Sequence, residues 1–162
     1  MTTERVPLDP EKTFGANQPC FGCSPTHPIG FHLEPYREGD EVCVDFTPGE
    51  KYQGPPGLMH GGLVMTLADE LGAWVVLGLK ERFGFTAAVE ARLQKPVRIG
   101  VPVHGRGKIT SDTPRIVKMS IVLTQEGEGV FRGTFTFALL DRAGAEKLLG
   151  GPLPETWVRF AR

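Results

Sequence analysis

Two glycines and two adjacent carboxylates come closest to forming a reaction centre in this sequence. Gly61 and Gly62 follow Gln53-Gly54-Pro55-Pro56-Gly57-Leu58-Met59-His60, a loop too rich in Gly and Pro for helix or strand. From Gly61 to Leu79 the only polar side chains are Thr66, Asp69 and Glu70, so this stretch reads as one helix. The first N–H groups of a helix lack intrahelical partners and carry about half a positive charge, so glycines there offer bare donors to an oxyanion. The same pair also serves a sharp loop-to-helix turn. Asp69 and Glu70 interrupt the apolar run, where an unpaired carboxylate is costly and its pKa rises. A chemical use accounts for them, and so does a helix that surfaces briefly, with Glu70 solvated and Asp69 bonded to Thr66. The two lie about 100° apart around the axis, so they cannot both face one ligand. One acts and the other supports.

Gly61 and Asp69 are eight residues apart, or about 12 Å along a helix, so one carbonyl cannot touch both within a single chain. If they act together, Asp69 comes from a second, antiparallel copy, which gives an isologous dimer with two shared sites.

A helix apolar on all sides must be wrapped by protein. Segments 85–95, 101–112, 115–125 and 129–140 show strand alternation; in the last, Phe131, Gly133, Phe135, Phe137 and Leu139 share one face. Thr113-Pro114 and Glu126-Gly127-Glu128-Gly129 supply short turns that make neighbours antiparallel. Upstream, 29–37 and 41–47 flank Glu38-Gly39-Asp40 as a hairpin. The expectation is an α+β fold of about six antiparallel strands around one long helix. It forms a single domain over residues 1–162, with an irregular lead-in at 1–28 and an irregular tail at 142–162 whose Trp157 and Phe160 dock on the body.

Composition narrows the function. Eighteen basic and nineteen acidic residues give a net charge of −1, so no basic field is available for nucleic acid. Two carboxylates within the apolar helix each cost about 2.5–3.5 kcal/mol in lipid, which disfavours membrane insertion. Three cysteines and a charged N-terminus fit a reducing, cytoplasmic setting. Cys20, Cys23, His27 and His32 form C-x2-C-x3-H-x4-H, too tight for an ordinary zinc finger, and no metal is expected there. Gly105-Arg106-Gly107-Lys108 reads as a solvated edge. The G-x-S-x-G elbow, the Walker loop and the dinucleotide fingerprint are all missing from the sequence.

Together, Cys20-Phe21-Gly22-Cys23, Gly30-Phe31-His32-Leu33, Gln53-Gly54, His60-Gly61-Gly62, Asp69-Glu70, Thr86 and Lys95-Pro96-Val97 resemble the hotdog-fold acyl-CoA thioesterases, particularly their phenylacetate-type (PaaI-like) branch. The resemblance spans about residues 20–141 and implies a sheet curled around a central helix, with sites between subunits of a homodimer or dimer of dimers. By it, Gly61 is the oxyanion-hole donor and Asp69, nine residues after His60, the nucleophile or general base. His60 fixes the loop, and Thr86 helps place the attacking water. Gln53, Gly62 and Glu70 fall near the thioester, while Lys95 and Arg98 are candidates for the coenzyme A phosphates. The substrate would be an acyl-CoA, and no cofactor is needed. A non-catalytic acyl-CoA-binding or assembly module, or an acyl-thioester dehydratase or hydratase, stands as the alternative. The hydratase would need a catalytic histidine facing an acid on the helix, and His60 is not so placed.

Overall fold

The computed structural model describes residues 3–162. In chain order they form strand β1 (Arg5–Pro7), helix α1 (Pro10–Phe14), strands β2 (Tyr36–Glu38) and β3 (Glu41–Phe46), and a 3-10 turn (Glu50–Tyr52). Helix α2 (Gly61–Lys80), strands β4 (Gly84–Leu93), β5 (Val103–Asp112), β6 (Ile116–Gln125) and β7 (Glu128–Leu139), and helices α3 (Arg142–Leu149) and α4 (Glu155–Val158) follow. The strands make one antiparallel sheet in the order β1-β2-β3-β5-β6-β7-β4.

Helix α2 is the element around which the sheet curls. It buries Val64, Leu67, Ala68, Leu71, Trp74, Val75 and Val76 against Val42, Val44, Met119, Ile121, Leu123 and the β7 phenylalanines. Among the described residues it is the one helix long and apolar enough to cross a membrane, but it is the core helix of this fold. The seating is close because glycine lies at the contact. A Cβ on Gly105 would come within 2.9 Å of Val44 Cγ2 and 3.0 Å of Leu71 Cδ2. One on Gly107 would meet Val75 Cγ2 at 2.4 Å and Ile121 Cδ1 at 2.8 Å. Gly105-Arg106-Gly107-Lys108 is therefore not an edge. It lies in β5, between β3 and β6, with its glycines under the helix and Arg106 and Lys108 turned outward to Glu41 and Asp40.

Helix α2 and the last four strands lie within a few residues of their expected positions. Three expectations change. Strand β1 makes a seventh strand. Residues 29–35 stay out of the sheet and only 36–38 pair with β3, because Phe31 and Leu33 N–H donate instead to the carbonyls of Phe21 and Gly22. Neither end is irregular throughout. Asp9 accepts from Lys12 N–H to cap α1, with Pro10 in its first turn. Asp141 caps α3 at its start and Gly150, φ 71°, ends it. The tail aromatics dock on the lead-in: Trp157 stacks on Phe14 at 4.2 Å and meets Phe83 edge-on at 5.2 Å.

Since Val75 and Ile121 have no long flexible arm to move aside, Gly107→Val should destabilise the protein by about 1–3 kcal/mol through overpacking. The outward Arg106→Ala should stay within about 0.5 kcal/mol. Urea unfolding monitored by circular dichroism measures both; an unchanged midpoint for Gly107→Val would contradict the close seating.

Candidate active site

The loop that delivers α2 is held by its own polar groups. Gln53 Oε1 accepts from Gly57 N–H at 2.7 Å, its Nε2 donates to the Glu50 carbonyl, and His60 N–H donates to the Tyr52 carbonyl. His60 is the N-cap of α2, and its Nδ1 accepts the Gly62 N–H at 3.0 Å. Leu63 and Val64 N–H both reach the His60 carbonyl. Of the two glycine amides, Gly62's is thereby occupied, while Gly61's has no partner among the described residues. A Cβ on Gly61 would lie 3.2 Å from Leu93 Cδ2 at the end of β4. Beside this helix start, Met59, Val64, Leu93, Pro96 and Val97, with Lys95, line a cleft of about 270 Å³.

Two turns along α2, Asp69 Oδ1 accepts a hydrogen bond from Thr86 Oγ1 at 2.6 Å. Thr66 is not the partner: its hydroxyl donates to the Gly62 carbonyl. Burial pushes the Asp69 carboxyl above its usual range, and the Thr86 bond opposes that shift in part. No cation among the described residues pairs with Asp69. The strand is built to supply this contact. The register of β4 against β7 slips between Thr86 and Ala88, a bulge at Ala87. Thr86 opposes Phe137, whereas beyond the bulge Val89, Ala91 and Leu93 oppose Phe135, Gly133 and Phe131. The extra residue switches parity, so Thr86 and the odd-numbered residues after it all face the helix.

Glu70 is directed elsewhere. It lies beneath the 20–23 loop, with Oε1 3.3 Å from Cys20 Sγ and 3.2 Å from Trp74 Nε1, and its carboxyl end is enclosed although the residue keeps some exposure. Burial pushes its pKa up to about 8, with Cys20 adding to the rise. Contact with the Cys23 side chain holds the Cys20 thiol down to about 5, and the same contact pushes the Cys23 thiol up. Grouping Glu70 with the thioester contacts is thus at odds with its position, one helix face away from Asp69.

Lys95 and Arg98 stand near the α2 start but are ion-paired, Lys95 with Glu128 at the start of β7 and Arg98 with Glu126 on the β6–β7 turn. What holds this segment is Gln125, a residue the sequence did not single out. Buried at 2% exposure, its amide accepts from Arg98 N–H and donates to the carbonyls of Arg98 and Val101. Its one sequence signal is an uncharged amide just before Glu126-Gly127. Leu93 and the Ala87 bulge carried none. A cleft of about 560 Å³, lined by Arg5, Pro10, Cys23, His32 and Tyr36, includes neither Gly61 nor Asp69.

Residues 56–132 match the family model described as the thioesterase superfamily. No curated protein matches the sequence. Among solved structures, a hypothetical thioesterase from Streptococcus pneumoniae TIGR4, crystallised with coenzyme A, is 22% identical with a TM-score of 0.62, over 66% of this chain and 87% of that one. A Streptococcus mutans UA159 protein bound to acetyl CoA is 21% identical at 0.60, over 66% and 87%. Zebra fish thioesterase superfamily member 2 is 18% identical at 0.63, over 71% and 89%. The sheet curled around α2 is the hotdog fold these structures share, and residues 56–132, a little under half of the chain, are similar to the thioesterase superfamily.

Proposed function

We propose that the protein hydrolyses acyl-CoA thioesters to a free acid and coenzyme A, in the manner of the phenylacetate-type branch. The observation that carries the reading is Asp69: a half-buried carboxylate with a raised pKa, held by one hydroxyl and paired with no cation, on the helix whose first N–H is free. Asp69 takes a proton from water as the water oxygen bonds to the thioester carbon. Charge developing on the carbonyl oxygen is met by Gly61 N–H and the positive end of α2. The tetrahedral intermediate then collapses, breaking the carbon–sulfur bond, and the proton held by Asp69 passes to the departing thiolate. His60 acts by position, occupying Gly62 N–H and leaving Gly61 as the donor. Lys95 and Arg98 exchange their surface carboxylate partners for the coenzyme A phosphates. This reading needs no cofactor and suits a cytoplasmic protein.

The site is shared between two copies. About 12 Å of helix separates Gly61 from Asp69, and the surfaces a second copy would cover lie open. Strand β4 has an unpaired outer edge, Val89 and Leu93 on its helix side are 40% and 51% exposed, and Met65, Asp69 and Ala73 keep partial exposure on α2. Antiparallel pairing of two such faces brings Gly61 of one protomer to Asp69 of its partner.

Asp69→Asn should keep the fold and lower kcat by about 10²–10⁴-fold, read as thiol release from a panel of aromatic, short-chain and long-chain acyl-CoAs. Full activity in the folded variant would remove Asp69 from the chemistry, and binding without turnover by the unaltered protein would favour a carrier module.

The base must be ionised, so activity is lost as pH falls through the Asp69 pKa, and burial sets that acid limb above the ordinary Asp range. Thr86→Val removes the hydrogen bond that lowers this pKa. The limb of kcat/KM should therefore move to higher pH; an unmoved or lowered limb would show that the Thr86 bond does not tune the base.

Gly61→Pro and Asp69→Ala homodimers should each be nearly inactive, whereas a mixed dimer holds one intact site. Co-expressed, separately tagged mixed dimers should recover about half the activity of the unaltered protein. Folded mixed dimers with no recovery would place each site within one chain.

A further inference from the structure

We propose that Cys20, Cys23 and Glu70 bind a divalent cation of the zinc class that staples the N-terminal segment to the central helix. The two sulfurs and a Glu70 carboxylate oxygen all lie within 4.8 Å of one another, and Cys20 Sγ is 3.3 Å from Glu70 Oε1. A tetrahedral zinc with bonds of about 2.3 Å to sulfur and 2.0–2.2 Å to oxygen keeps its ligand atoms roughly 3.5–3.8 Å apart. The trio closes on such an ion with small side-chain movements.

The surroundings are those of a ligand set rather than of a chance contact. Ser24 N–H donates to the Cys20 carbonyl at 3.1 Å, closing a turn that puts both sulfurs on one side. Gly22, between them, leaves room for the carboxylate: a Cβ there would sit 2.2 Å from Glu70 Cδ. Buried Gln18 clasps the pair, its Nε2 donating to Cys23 Sγ at 3.3 Å while its Oε1 accepts from Cys20 N–H at 3.2 Å. Trp74 Nε1 donates to Glu70 Oε1 at 3.2 Å. N–H donors of this kind orient metal-bound thiolates and carboxylates. No Lys, Arg or His among the described residues pairs with Glu70, so the protein supplies no positive charge to a site with three potential anions. Two thiolates and a carboxylate suit zinc better than magnesium or calcium. Cys23 also lines the 560 Å³ cleft, by which an ion and a solvent fourth ligand reach the site.

The two histidines of C-x2-C-x3-H-x4-H do not belong to this set. His27 Nδ1 accepts from Ile29 N–H, and His32 Nε2 hydrogen-bonds to the His27 carbonyl. A carboxylate fifty positions after Cys20 takes their place. Because that carboxylate adjoins Asp69 on α2, the ion would fix the helix's rotation beneath the 15–35 segment, most of which has no secondary structure of its own.

The test reads metal rather than turnover, so its outcome is separable from that of the hydrolase reading. Protein purified under reducing conditions without chelator should carry about one zinc per chain by elemental analysis. Cobalt exchange should add thiolate-to-cobalt charge-transfer bands and tetrahedral visible bands. Chelation should lower the melting temperature, and one equivalent of zinc should restore it. Cys20→Ser with Cys23→Ser should abolish binding. Glu70→Gln, which conserves volume, should weaken it at least about tenfold, while His27→Ala with His32→Ala leaves the stoichiometry intact. Folded, reduced protein that takes up neither zinc nor cobalt overturns the proposal. So does zinc retained without the two cysteines, or lost with the histidines, and so does a Cys20–Cys23 disulfide in the protein as isolated.

Discussion

The close approach of α2 to the sheet is the contact on which the rest of the structure depends. The helix carries almost no polar surface, so it is stable only when wrapped, and the sheet wraps it because β5 offers no side chain at Gly105 and Gly107. With the helix seated, the positions of Gly61, Asp69 and Glu70 follow from the pitch alone: one at the end, two on neighbouring faces. The geometry of the candidate site is thus set by core packing as much as by the loop that delivers the helix. Burial in that packing also raises the pKa of both carboxylates, because it penalises the ionised form.

What was legible in the sequence was periodic or local. The apolar run of α2, the alternation of β4 to β7, and the loop carrying Gly61 could all be read from neighbouring residues, and so could the caution that Gly61 and Asp69 lie too far apart for one ligand. Contacts made across the chain were not legible. The bond from Thr86 to Asp69 requires a bulge at Ala87, and nothing in Phe85-Thr86-Ala87-Ala88-Val89 marks where the parity of the strand changes. Gln125 looked like any polar residue at a strand end until the loop it holds was folded over it. At Gly105 and Gly107 the alternation was visible but its meaning was inverted: small residues that suggested an exposed edge are small because the helix lies on them.

The cysteine loop shows the same limit in another form. In sequence, Cys20 and Cys23 could be grouped only with the nearest histidines, in a spacing too tight for an ordinary finger, and the 24–32 segment turns those rings to its own amides and carbonyls. Glu70 looked like the companion of Asp69 because it is adjacent in sequence, yet adjacency on a helix means a different face. Its partners come from the lead-in instead, and only the folded chain brings them together.

The two ends of the sheet are unequal. Strand β4 presents a free edge ten residues long, while β1 at the other end is three residues long and finishes in Pro7, which has no N–H to donate. A chain with two equivalent edges can add copies at both and grow without limit. Here head-to-tail growth would set a long edge against a stub and leave most of the long edge bare. In the proposed dimer a second β4, run antiparallel, consumes both long edges at once. Under that pairing, sheet extension would be self-terminating, a safeguard against fibre formation that follows from the lengths of two strands.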